Sequence, residues 1–216
     1  MSATKKLLME GFDLLYGHFG PRGWWPGQTP FEVMVGAILT QNSNWKNVER
    51  AIANLKRVGA LSPRKLYDLH PARLAGLIRS AGYYRLKAKR LRSFLKFFLE
   101  GYGGRAERMA AQPLAELREE VLSVKGVGPE TADSILLYAL NKPIFVIDAY
   151  TKRILARHAL CTEDADYYEL QELFMDHLPA DVRLFNEYHA LIVETGKEFC
   201  RKTPRCDECP LNGWNW

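Results

Sequence analysis

Apolar residues recur at helical spacing along nearly all of this chain, and that periodicity argues against any sheet-based fold. Residues 4–19 place Leu7, Leu8, Phe12, Leu15 and Phe19 on one face. Gly20-Pro21 ends the segment, and a loop rich in Gly, Pro and Trp runs to Pro30. A buried helix is expected over 31–40, followed by one capped by Ser43 and running to about Val58. Shorter helices begin at Ser62-Pro63 and His70-Pro71, because proline is tolerated in the first turn. Residues 84–102 read as a long basic amphipathic helix striped by Leu86, Leu91, Leu95, Phe98 and Leu99. Helices over 113–123 and 129–141 flank the turn Lys125-Gly126-Val127-Gly128. Others start at Asp148 and cover roughly 166–178 and 181–198. Ile144-Phe145-Val146-Ile147 is the one strand-like run, and no partner strand is in sight. An all-α architecture follows.

With 216 residues the chain can form one large domain or two small lobes. Its net charge of +5 hides an uneven distribution. Arg79, Arg85, Lys87, Lys89, Arg90, Arg92 and Lys96 lie in a window without a single acid, whereas 162–176 holds six acids and no Lys or Arg. Such polarity suits a polyanion on one face, although a solvated helix face would also show it. No apolar run is long enough to span a bilayer, and Glu10 and Asp13 interrupt the N-terminal stretch where a signal peptide would be uncharged. A cytoplasmic location without a membrane partner is expected.

Three of the four cysteines (Cys200, Cys206 and Cys209; the fourth is Cys161) crowd into ten residues, which suits a metal site better than a disulfide framework. His18, His70, His158, His177 and His189 show no ligand spacing. At the turn, Gly126 and Gly128 permit backbone angles that other residues resist and bare amides at a helix start. Those amides and the positive end of the helix make an anion site that fits a DNA phosphate; a ligand-free αα turn is the plainer alternative.

The segment Leu122-Ser123-Val124-Lys125-Gly126-Val127-Gly128-Pro129-Glu130-Thr131-Ala132, followed by Val146-Ile147-Asp148-Ala149-Tyr150, resembles the signature of the endonuclease III superfamily of DNA glycosylases. Ala37-Ile38-Leu39-Thr40-Gln41-Asn42 and Ala81-Gly82-Tyr83-Tyr84-Arg85-Leu86-Lys87-Ala88-Lys89 resemble two further blocks of it. Trp24-Trp25-Pro26, the Leu-Thr-Gln-Asn block and Lys-Gly-Val-Gly-Pro-Glu look most like its 3-methyladenine DNA glycosylase branch. The resemblance spans about residues 28–209 in order. It implies two helical lobes with the active-site cleft between them. A six-helix lobe over 28–142 would carry the helix-hairpin-helix at about 113–141. The second lobe, 1–27 plus 143–216, would carry the catalytic Asp and the Cys loop.

By resemblance, Asp148 is the carboxylate that stabilises positive charge on the sugar as the glycosidic bond breaks. Read locally it is also a helix N-cap, and the two roles are compatible. Bifunctional members place a lysine two residues past the second glycine of the turn, where it forms a Schiff base. Here that position is Glu130, which cannot form an imine. Glu130 either places the attacking water or lines the pocket wall. The target base must leave the stack. The resemblance puts Gln41 and Tyr83 in the two DNA-intercalating loops. Lys125, Gly126, Val127, Gly128, Lys87 and Lys89 are expected to bind DNA phosphates. Trp24, Trp25 and Trp45 would form an aromatic base pocket, attracting cationic alkylpurines through stacking and cation–π contact. A hydrophobic plug is the alternative for Trp24 and Trp25.

Cys200, Cys206 and Cys209 resemble the iron–sulfur loop of endonuclease III, one residue short in its first gap and with Asn215 where a fourth Cys would stand. A [4Fe–4S] cluster, with Cys161 or a non-Cys residue as fourth ligand, a zinc site and a metal-free loop all stay open. The expected function is therefore that of a monomeric, monofunctional DNA glycosylase of base excision repair. It would excise alkylated purines from double-stranded DNA carrying a flipped base, leaving an abasic site. A glycosylase with AP lyase activity on oxidised pyrimidines and a non-catalytic DNA-binding module are the alternatives.

Overall fold

The computed structural model describes residues 2–215, which divide into two compact units. No strand occurs among the described residues. One unit is continuous, Pro26–Lys142. It contains α2 (Pro30–Thr40), α3 (Trp45–Arg57), α4 (Pro63–Asp68), α5 (Pro71–Leu77), α6 (Tyr84–Tyr102), α7 (Ala106–Ala110), α8 (Leu114–Leu122) and α9 (Pro129–Ser134). The described residues thus hold eight α-helices in this unit, four of them (α4, α5, α7 and α9) no longer than seven residues.

Helix α2 is the core of this unit and is buried on every side from Phe31 to Leu39. Thr29 caps it by accepting the Glu32 amide at 3.1 Å, and Pro30 fills a position whose missing N–H is no loss. Its one buried charge, Glu32, is paired with Lys56 at 2.8 Å. Asn44 rather than Ser43 caps α3, accepting the Asn47 amide at 3.0 Å. Helices α8 and α9 are joined by a bidentate pair: Arg118 Nε and Nη2 donate to the fully buried Asp133 carboxylate at 2.8 and 3.0 Å. Removing one partner of such a pair strands a buried charge at a cost of about 3–5 kcal/mol. Beyond Ser134 the helix continues in π geometry over Ile135–Ala139, every residue buried.

The other unit combines residues 1–25 with 143–216. It contains α1 (Ala3–Phe19), α10 (Ala149–Arg157), α11 (Tyr167–Met175) and α12 (Val182–Glu198). Helix α12 packs on both α1 and α10. Tyr188 Oη donates to the Leu8 carbonyl at 2.8 Å, and Trp214 Nε1 donates to the Leu7 carbonyl at 2.9 Å. The strand-like run Ile144–Ile147 is extended and buried. Helix α11 supplies side-chain partners for its backbone: Gln171 Nε2 donates to the Phe145 carbonyl at 2.6 Å, the Phe145 amide faces Met175 Sδ at 3.3 Å, and the Ile147 amide donates to Tyr167 Oη at 3.4 Å. Buried peptide groups must be paired, and here helix side chains do what a neighbouring strand would.

Candidate active site

Asp148 ends the extended run and opens α10. Its Oδ1 accepts both the Thr151 amide at 2.8 Å and Thr151 Oγ1 at 2.9 Å. Two donors on one oxygen fix the carboxylate and leave Oδ2 outside the cap. That atom lies 3.8 Å from Nε2 of His189 on α12, a ring 4% exposed and edge-on to Phe145. Burial pushes the His189 pKa below its ordinary value, more than the Asp148 charge raises it, so the imidazole is neutral near pH 7. The histidine spacing gave no sign of this contact.

Trp24 and Trp25 belong to the same unit, with rings edge-to-face at 5.6 Å. Lys197 of α12 sets its ammonium 5.3 Å from the Trp24 ring centroid and 2.9 Å from Glu194. One face of Trp24 thus carries a cation.

In the continuous unit, Lys125, Gly126 and Gly128 are exposed at the turn and Glu130 stands exposed in the first turn of α9. Val127 differs from expectation. Its side chain is buried and its amide donates back to the Val124 carbonyl at 3.0 Å, so it shapes the turn and has no N–H left for a phosphate. Gly126 has φ of +92°, and a Cβ there would meet Arg90 Cγ at 2.4 Å, so this glycine is required twice over. Trp45 opens α3, its indole donating to Glu49 at 2.7 Å.

Gln41 is drawn inward: its Nε2 donates to the Gly126 carbonyl at 3.1 Å and to Thr131 Oγ1 at 2.9 Å, and Arg90 Nη1 donates to its Oε1 at 2.5 Å. Tyr83 projects instead, 71% exposed, from a left-handed backbone at φ +44°. The basic run is smaller than its count suggests. Arg92 is spent on the Tyr67 and Leu69 carbonyls and Arg90 on Gln41, while Arg79, Arg85 and Lys89 stay exposed. Lys87 is the clearest correction. It is 1% exposed and its ammonium donates to two carbonyls inside the unit, so it binds no phosphate.

A model of the HhH-GPD superfamily of base excision DNA repair proteins matches residues 35–180. The chain belongs to that superfamily. Over 208 residues, 95% of this HhH-GPD chain and 94% of the relative, it is 50% identical to a provisionally named DNA repair glycosylase of Methanocaldococcus jannaschii. It is 31% identical to endonuclease III of Thermotoga maritima, covering 84% of this chain and 80% of the relative. Among solved structures, the Helicobacter pylori 3-methyladenine DNA glycosylase bound to 1,N6-ethenoadenine superposes with a TM-score of 0.78 at 29% identity, over 90% of this chain and 97% of that one. A non-covalent endonuclease III–DNA complex shares the fold at a TM-score of 0.83 and 21% identity, over 100% and 96%. The protein is a base excision DNA glycosylase of the endonuclease III superfamily, and no helix among its described residues is long and apolar enough to cross a membrane.

The Cys loop of this HhH-GPD protein folds around a cavity of about 160 Å³ whose lining includes Cys200, Cys206, Cys209 and His158. Arg157 Nη1 lies 3.2 Å from Cys200 Sγ, and burial raises the Cys209 thiol. Cys161 is not part of that lining. Among the described residues no three ligating side chains converge as a single ion requires. Three thiols thus line one cavity, where a [4Fe–4S] cluster takes four cysteine ligands.

Proposed function

We propose that this glycosylase is monofunctional and hydrolyses the N-glycosidic bond of alkylated purines extruded from double-stranded DNA, leaving an abasic site. Two separate observations support the reading: Thr151 holds the Asp148 carboxylate with two donors, and Glu130 occupies the position where an imine-forming lysine would be needed. As the C1′–N bond breaks, its electron pair leaves with the base and positive charge builds on the sugar. The Asp148 carboxylate, held by both Thr151 donors, stabilises that charge. A water oxygen then bonds to C1′, and the proton it loses goes to the departed base where that left as an anion, or to solvent where a cationic base left neutral. Glu130, exposed in the first turn of α9, either orients that water or lines the pocket wall; it forms no covalent bond.

Phosphate binding falls to Lys125, Lys89 and the Gly126 and Gly128 backbone, and the wedges are Tyr83 and Gln41, the latter after releasing its bonds to the hairpin. Trp24 and Trp25 are the aromatic residues assigned to the base in one unit, and Trp45 is the one assigned to it in the other. The Lys197 ammonium over Trp24 favours neutral adducts such as the ethenoadenine named for the H. pylori neighbour over cationic ones. Cys200, Cys206 and Cys209 would hold three corners of a [4Fe–4S] cluster, which when bound would brace the loop carrying Arg201, Lys202 and Arg205. The enzyme acts as a monomer.

The test is base release from methylated and etheno-modified duplexes. Wild type releases free base and gives no borohydride-trapped adduct. Asp148→Asn lowers release by about 10²–10³ or more while still binding abasic DNA. A trapped covalent adduct, or release by Asp148→Asn at the wild-type rate, refutes the mechanism.

A further inference from the structure

Lys87 begins the inward face of α6, one turn before Leu91, and is among the largest fully buried side chains. Its ammonium donates to the Leu39 carbonyl and to the Ala81 carbonyl, both at 2.7 Å. Leu39 lies in the last turn of α2, and Ala81 ends the 3-10 turn Arg79–Ala81. Helix ends leave carbonyls without intrahelical partners, and a cation is favoured there by the helix dipole as well.

The two acceptors stand in equivalent places. Two residues past Leu39 comes Gln41, and two residues past Ala81 comes Tyr83. Each loop then holds a non-glycine residue in the left-handed region, Asn42 at φ +50° and Tyr83 at φ +44°. Such conformations are strained and persist only where the surroundings impose them. A single buried cation thus grips the backbone immediately before both segments.

We propose that Lys87 is a positioning residue for base extrusion: its ammonium is the shared anchor that fixes the Gln41 and Tyr83 loops relative to each other, so that both enter the duplex at one gap. This rests on the wedge assignment above. A phosphate-binding lysine would contribute to affinity for any duplex, whereas an anchor contributes only where an opening must be filled.

The experiment compares affinity for a duplex holding a tetrahydrofuran abasic analogue with affinity for the same duplex undamaged, using the full chain. Lys87→Met is expected to lower the preference for the analogue by about ten-fold while changing undamaged-duplex binding less than about two-fold. In a Tyr83→Ala background its effect should shrink, because both changes act on the same contact. Leu66→Val, a buried change on α4, outside both loops in the chain, should lower the melting temperature without altering the preference. Where Lys87→Met fails to fold, Lys87→Gln keeps a donor for one carbonyl and should show an intermediate loss. A wild-type chain with no preference for the analogue sinks the wedge assignment and the anchor with it. Full preference in folded Lys87 variants, or equal loss for both duplexes, overturns the anchor alone.

Discussion

Gly196 on α12 gives a sharp test of how Asp148 is held. A Cβ built there would meet Tyr150 Cδ1 at 2.2 Å, Cγ at 2.7 Å and Cβ at 2.8 Å. The ring has little room to retreat, because Arg153 stacks on it with Cζ 5.0 Å from the centroid and is itself bonded to the Cys200 and Gly196 carbonyls. Two effects oppose each other in Gly196→Ala. Helix propensity favours alanine by about 0.8–1.0 kcal/mol. Overpacking costs about 1–3 kcal/mol, and contacts this far below van der Waals distance place it at the upper end. The clash wins by about 1–2 kcal/mol, a fall of roughly 2–8 °C in melting temperature for a chain of this size. Gly17 on α1 is the internal control, because nothing lies within 4 Å of its would-be Cβ. Gly17→Ala should therefore gain up to about 1 kcal/mol, roughly 2–4 °C. Tyr150 is two residues from Asp148, so Gly196→Ala should also slow base release in single-turnover assays at temperatures where the variant stays folded. Melting both variants by circular dichroism decides the matter. A Gly196→Ala protein as stable as Gly17→Ala would refute the close-approach argument.

Burial and the Arg90 charge lower the Lys87 pKa from 10.5 to about 8. Between those values the unfolded chain binds more protons than the folded one, so this group's contribution to stability rises with pH across the window and its burial penalty is fully present below about pH 8. Wild type should accordingly gain stability relative to Lys87→Met from pH 8 to 10 in paired melts, and a constant difference would contradict it. Lys197→Met removes the cation over Trp24 and should raise excision of cationic N7-methylguanine relative to neutral ethenoadenine by about two- to thirty-fold, read as a ratio of single-turnover rates. An unchanged ratio would separate Lys197 from base choice. Cys206→Ala should abolish iron content and visible absorbance in anaerobically purified protein, and a colourless, iron-free wild type would count against the cluster.

Much of this architecture is legible in residue order because local physics dictates it. The α6 stripe, the Thr29-Pro30 start of α2 and the Asp148 cap each depend on neighbours within a turn or two. What stays hidden depends on partners far along the chain. Arg118 and Asp133 are ordinary surface-type residues until α8 and α9 bring them together, and Gln41 finds Gly126 only through the fold. Lys87 is instructive, since its burial had a signal. It lies four residues before Leu91 and seven before Phe94, on the apolar stripe, whereas Leu86 falls off that face and is 46% exposed. Counting charge along the run concealed the phase of the helix. The face of Trp24 was illegible for a similar reason, because Lys197 reaches it from 173 residues away.

The hydrogen bond from Trp214 to the Leu7 carbonyl spans 207 residues, and Gly11 admits that indole because a Cβ would sit 2.6 Å from it. Helix α1 is therefore synthesised long before the tryptophan that locks it in place. During synthesis the Pro26–Lys142 unit has all its residues in hand while the unit carrying Asp148 still waits for the closing tryptophan. A nascent chain halted before residue 214 would lack the lock on the unit that carries Asp148.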